Sequence, residues 1–204
     1  MLTLDEALEQ ISDIRGHLLR NETFRGYRAR IVGCSAIVAF AAAAVQRWSI
    51  PDPARAAAGY LALWIGAAAL SLAVAAVEMS LRCARAGSMS IERTRQAVEQ
   101  FFPCLMAGAL VTCVVFRYVA ECLWMLPGLW SVIFSLGIFA SCPLLPRPAK
   151  WVAVYYLAAG AICLALAQGE RALSPWCMVG TFGVGQTLAA LILYFTLERS
   201  HEAE

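Results

Sequence analysis

A chain of 204 residues that is 61% hydrophobic and only 15% charged carries more apolar surface than a soluble domain of its size can hide, so composition excludes an ordinary water-soluble fold. Its formal net charge of +2 says little about partners for a protein that spends its surface on lipid.

In chain order, the first element is an amphipathic helix over residues 3–20. Thr3 and Glu6 form a capping box, and Leu4, Leu8, Ile11, Ile14 and Leu18 recur at three- and four-residue spacing. Glu9, Asp13 and Arg20 occupy the opposite face. This helix can lie on the membrane or pack under the bundle; alternatively the seam of Leu4, Ile11 and Leu18, seven residues apart, can receive a cytoplasmic protein or a second copy of the chain. The segment Phe24-Arg25-Gly26-Tyr27-Arg28-Ala29-Arg30 follows, mixing aromatics with arginines as the headgroup layer favours. No nucleic-acid-binding fold surrounds it, so nucleic acid is not an expected partner. The five acidic residues of the first thirty argue against a cleaved signal peptide.

Six apolar stretches then follow at about 31–46, 56–77, 101–118, 124–143, 151–168 and 174–197, near the roughly 20 residues that a ~30 Å hydrocarbon core requires. The first is short, and the arginines flanking it, Arg30 and Arg47, are expected to snorkel. The expected fold is an all-α polytopic bundle: residues 1–30 form a cytoplasmic helix and juxtamembrane segment, 31–199 the transmembrane domain, and 200–204 a tail. A helix break at Gly87-Ser88 and a new start near Ser90 make the third helix project from the membrane, with a kink at Pro103.

Basic residues alternate in density along the connections. Arg15, Arg20, Arg25, Arg28, Arg30, Arg82, Arg85, Arg93, Arg95, Arg147, Lys150 and Arg199 fall on one side, and only Arg47, Arg55, Arg117 and Arg171 on the other. By the positive-inside tendency, both termini are expected in the cytoplasm of a bacterial inner membrane.

Chemistry is sparse. The eight cysteines are scattered without a C-x-x-C pair, and the two histidines, His17 and His201, lie in the terminal segments, so no metal or haem site is expected. No nucleophile elbow, P-loop or H-E-x-x-H occurs, and no enzyme activity or cofactor is expected. Glu78, Glu99, Arg117, Glu121 and Glu198 fall near the ends of spans as interfacial charges, with Arg117 and Glu121 four apart on one expected helical face; the inner carboxylates could alternatively line an ion pathway. The most suggestive buried polar group is Gln186, at the middle of the last span behind Gly180, Gly183 and Gly185. It can act as packing glue that lets another helix approach, or as a ligand position joined by Trp124, Trp130, Tyr155 and Tyr156. Tyr60-Leu61-Ala62 and Tyr156-Leu157-Ala158 are a faint match between the two halves, as in transporters built from repeats.

The ordered set Phe24-Arg25-Gly26-Tyr27-Arg28, Leu123-Trp124-Met125-Leu126-Pro127-Gly128-Leu129-Trp130, Leu145-Pro146-Arg147-Pro148, Leu173-Ser174-Pro175-Trp176 and Gly180-Thr181-Phe182-Gly183-Val184-Gly185-Gln186 resembles a group of small bacterial six-helix multi-pass membrane proteins without assigned activity. The resemblance implies no catalytic or binding residue. Members look to be encoded beside winged-helix transcription regulators, which would suit a signalling partner. The leading expectation is thus a non-enzymatic sensor or adaptor acting through residues 3–20; the alternative is a small-solute transporter or channel with a midplane site near Gln186.

Overall fold

The computed structural model describes residues 29–85, 88–145 and 147–198. The amphipathic helix expected over residues 3–20, with Leu4, Leu8, Ile11, Ile14 and Leu18, lies outside the described residues, as do Phe24 to Arg28 and the 200–204 tail. Among the described residues the chain is helical without strands, and six helices are long and apolar enough to span a membrane.

The helices are α1, Ala29–Ser49; α2, Ala57–Arg85; α3, Ser88–Tyr118; α4, Leu126–Ser141; α5, Ala149–Leu166; and α6, the composite span Pro175–Thr196. At 21 residues, α1 is about 31 Å long at 1.5 Å per residue, so the span expected to be short reaches across the bilayer. It begins before Arg30 and continues past Gln46 to Ser49. Helix α3 starts at Ser88, close to the expected restart, and remains helical through Pro103. Consecutive helices run in opposite directions, so one end of the bundle is arginine-poor, with Arg47, Arg55, Arg117 and Arg171, and the other is rich in basic residues.

Bilayer-spanning helices gain little from hydrophobic segregation, because lipid tails are as apolar as leucine; contact instead needs close steric fit and hydrogen bonds. Helix α4 supplies the fit with a stripe of small buried residues, Gly128, Ser131, Ser135 and Gly137. At the α4–α5 crossing, a Cβ on Gly128 would sit 3.0 Å from the Gly160 carbonyl oxygen, and one on Gly160 would sit 2.8 Å from the Gly128 oxygen. Two backbones therefore touch where any side chain would separate them. The Ser131 hydroxyl donates to the Tyr156 carbonyl across the same contact at 2.8 Å. On the α3 side, the place of a Gly137 Cβ is taken by Cys104 and the Phe101 ring, each at 2.8 Å.

Helices α2 and α3 are held more loosely. Only 17% of the α2 span and 6% of the α3 span are buried, against 28% or more in the other four. Their faces present Ile65, Leu70, Leu72, Val77, Leu81, Phe102, Leu110 and Val114, a surface that water would penalise and lipid accepts. Toward the arginine-rich end, a groove of about 520 Å³ separates α1 from α2, lined by Arg30, Ile31, Cys34, Ala73, Val74, Val77 and Glu78.

Two outcomes test this architecture and the orientation that the asymmetry of basic residues predicts. Accessibility tags at residues 1, 90 and 204 should react only from the cytoplasm and a tag near residue 52 only from outside; a periplasmic signal at residue 90 would reverse the orientation. Gly160→Leu should destabilise the protein by about 1–3 kcal/mol or more through forced separation of α4 and α5, whereas Gly66→Leu, with no atom within 4 Å of its Cβ position, should be close to neutral in the same unfolding measurement.

Candidate functional site

The polar centre of the described structure is Gln46, which is 0% exposed. Its amide NH2 donates to the Leu173 carbonyl at 2.7 Å, and its amide oxygen accepts from the Trp64 indole N–H at 2.8 Å. One side chain thereby ties together α1, α2 and the connection before α6. The local reasons are plain in each element. Helix α1 places Ala39, Ala42, Ala43 and Gln46 on its buried face, and the alanines leave room for neighbours to reach the amide. Ser174 takes an extended backbone (φ −66°, ψ 147°) before Pro175 starts α6, as the residue preceding proline favours. The Leu173 carbonyl therefore sits just outside a helix, free of an intrahelical donor and available to Gln46.

Around this hub lie Ala42, Ala43, Tyr60, Leu61, Trp64, Leu126, Leu173 and Met178. Tyr60 is 1% exposed, and its hydroxyl has no hydrogen-bond partner among the described residues. The Cys177 thiol reaches the Arg171 carbonyl, at 3.3 Å.

The residues singled out in the sequence are distributed differently. Gly183 and Gly185 do admit neighbours, but these are aromatic rings and not a second helix backbone. A Gly183 Cβ would lie 3.3 Å from the Phe40 ring of α1, and a Gly185 Cβ would overlap the Tyr156 ring of α5. Gly180 has open space at its Cβ position, and its carbonyl accepts the Tyr155 hydroxyl. That bond has a local origin: Val179–Gly183 is a π-helical turn, and such a turn disturbs the regular helical ladder and lets a carbonyl take an outside donor. Gln186 is partly buried on the following α-helical segment, Val184–Leu193, with no side-chain partner among the described residues. Trp130, expected beside it, donates instead to Thr112 on α3 at 2.8 Å.

The interfacial charges sort by element. Glu99 pairs with Arg95 at 2.7 Å one turn away on α3, an exposed pair of small energetic weight. Arg117 and Glu121 do not share a helical face: α3 ends at Tyr118, Val119 is non-helical (φ −138°, ψ 52°), and Glu121 belongs to a separate 3-10 turn, Ala120–Met125. Arg117 stacks over the Tyr118 ring at 5.8 Å instead. Glu78 lines the groove between α1 and α2, and Glu198 closes the last helical element, Tyr194–Glu198. The inner carboxylates are therefore dispersed over different elements. No group of three or more potential metal-ligating side chains occurs among the described residues.

Gln46 escaped the sequence reading because it stands next to Arg47, where a polar side chain ordinarily meets headgroups. The available signal was its Ala-rich face at three- and four-residue spacing. Its removal should matter more than that of Gln186. Gln46→Leu strands a buried indole N–H and a buried carbonyl, and should destabilise the protein by about 1–3 kcal/mol, whereas Gln186→Leu should change stability by less than about 0.6 kcal/mol. A double-mutant cycle of Gln46→Leu with Trp64→Phe should return a coupling of about 0.6–1.7 kcal/mol, the range of interhelical hydrogen bonds in a bilayer.

No protein-family profile, curated protein or solved structure matches the chain. Its own composition and six apolar helices identify an all-α, multi-pass integral membrane protein.

Proposed function

We propose that the chain is a non-enzymatic membrane sensor or adaptor that holds its amphipathic segment, residues 3–20, at the cytoplasmic surface for a protein partner. The observation that carries this reading is the contrast in packing: a close-fitted α4–α5 pair tied into the Gln46 hub, beside α2 and α3 that turn most of their apolar surface outward. A scaffold with free lateral faces suits association within the membrane. In the last span, the space beside Gly183 and Gly185 is filled by Phe40 and Tyr156, which favours a packed wall at that level over a solute path.

A small-solute transporter or channel is the second reading, favoured by the uncommitted amide of Gln186 within α6. The two diverge under one deletion. Crosslinking and affinity capture from cells carrying the chain without residues 1–20 should lose the cytoplasmic partner that the full chain retains. If the shortened chain keeps every partner, and Gln186→Leu inserts normally but abolishes the phenotype of the intact gene, the adaptor reading fails in favour of transport.

A further inference from the structure

Helices α1 and α2 do not stay together along their length. At the arginine-poor end they are joined: the Trp64 indole donates to Gln46, and Ala42 and Ala43 share a core with Tyr60 and Leu61. Toward the arginine-rich end they part, and the groove of about 520 Å³ opens between them. Its chemistry is graded by depth. Arg30 is the second residue of α1, and Cys34 lies one turn further in, about 6 Å at 1.5 Å per residue. Helix α2 travels the other way, so Ala73, Val74 and Val77 are its inner residues and Glu78 its outer one. One cation and one carboxylate thus stand at the mouth, above an apolar floor. Cys34 is exposed, as are Val74 and Val77, at 40% and 59%, so the floor opens sideways to hydrocarbon.

We propose that this groove is a site for a zwitterionic phospholipid with a primary-ammonium headgroup, its phosphate on Arg30, its ammonium on Glu78 and an acyl chain along Cys34, Ala73, Val74 and Val77. The Arg30 guanidinium, snorkelled to the headgroup layer, donates charge-assisted hydrogen bonds to the phosphate oxygens. The ammonium donates to the Glu78 carboxylate, which has about four acceptor sites and takes this donor alongside any other.

The same pair of charges discriminates among headgroups. A headgroup of net negative charge, with no cation of its own, would meet the Glu78 carboxylate as a like charge. A choline headgroup has no N–H to donate and is recognised by aromatic faces, and none of the described residues lining the groove is aromatic. A water-soluble solute would leave the apolar floor facing lipid uncovered. Binding of the phospholipid requires no partner at residues 3–20, so the site stands apart from the adaptor reading.

Native mass spectrometry of the full chain, released from micelles holding equal amounts of phosphatidylethanolamine, phosphatidylglycerol and phosphatidylcholine with identical acyl chains, reads the preference directly. Phosphatidylethanolamine should be retained roughly tenfold over either of the others, the fold-change that one charge-assisted hydrogen bond supplies. Arg30→Gln should lower retention of all three, because the phosphate is common to them. Glu78→Gln should bring phosphatidylethanolamine down to the level of phosphatidylcholine. Equal retention of the three lipids by the unaltered chain means bulk lipid only and overturns the proposal. A preference for phosphatidylglycerol does the same, as does retention that both substitutions leave unchanged in chains that unfold at the parent temperature. A full chain carrying p-benzoylphenylalanine in place of Val77, photolysed in the same lipid mixture, tests the site without the charge variants. Adducts enriched in phosphatidylethanolamine support it, whereas an adduct to residues 1–28 or to a second copy of the chain places protein in the groove and overturns it.

Discussion

In a bilayer interior a polar group has no water to turn to, so each one must find a protein partner or remain unsatisfied. Gln46 meets that constraint with its amide donor and acceptor both engaged: the donor on the Leu173 carbonyl and the acceptor on the Trp64 indole. Because the partners belong to α2 and to the connection before α6, the two bonds set the relative positions of two consecutive helices and of a segment 127 residues further along the chain. The alanines of α1 and the extended residue before Pro175 exist, structurally, to let those bonds form.

The rest of the bundle divides by how close its backbones come. Gly128 and Gly160 bring α4 and α5 into contact that leaves no room for a side chain. Ser131 adds an interhelical hydrogen bond at the same crossing, so fit and hydrogen bonding reinforce each other where neither alone is strong in lipid. In α6 the aromatic residues do the corresponding work: Phe40 and Tyr156 seat against Gly183 and Gly185, and the rings of Phe134, Tyr156 and Phe182 meet with centroids 4.9–5.8 Å apart. Toward α2 and α3 this density gives way to apolar faces directed outward. Close packing thus lies on one side of the bundle and open apolar surface on the other.

The arginine-poor end concentrates what chemistry the described residues have. The Gln46 bonds and the buried Tyr60 side chain share one neighbourhood. A change in the connection between α5 and α6 would therefore be felt by α1 through the Gln46 hydrogen bond and through the apolar contacts around Leu173. That connection is short and carries its own turn bonds, Ala172 N–H to the Gly169 carbonyl and Ser174 N–H to the Arg171 carbonyl, so movement of its ends is not absorbed by slack chain.

The number and approximate limits of the six spans were legible in the amino-acid sequence because a bilayer selects each segment separately, by length and apolarity. The small residues before Gln186 also marked a surface of close approach. Tertiary structure alone decided which polar and small residues meet. Helices that are apolar on every side carry little information about which face turns inward, so nothing local separates Gln46, which is buried and bonded at both amide atoms, from Gln186, which has no side-chain partner among the described residues. The same ambiguity hid the Gly128–Gly160 crossing. Arg117 and Glu121 show the opposite error: a four-residue spacing implies a shared face only while the helix continues, and α3 ends between them. Span identity is set within a segment, whereas contact depends on the rotation and depth of two segments relative to each other, which only packing of the whole bundle determines.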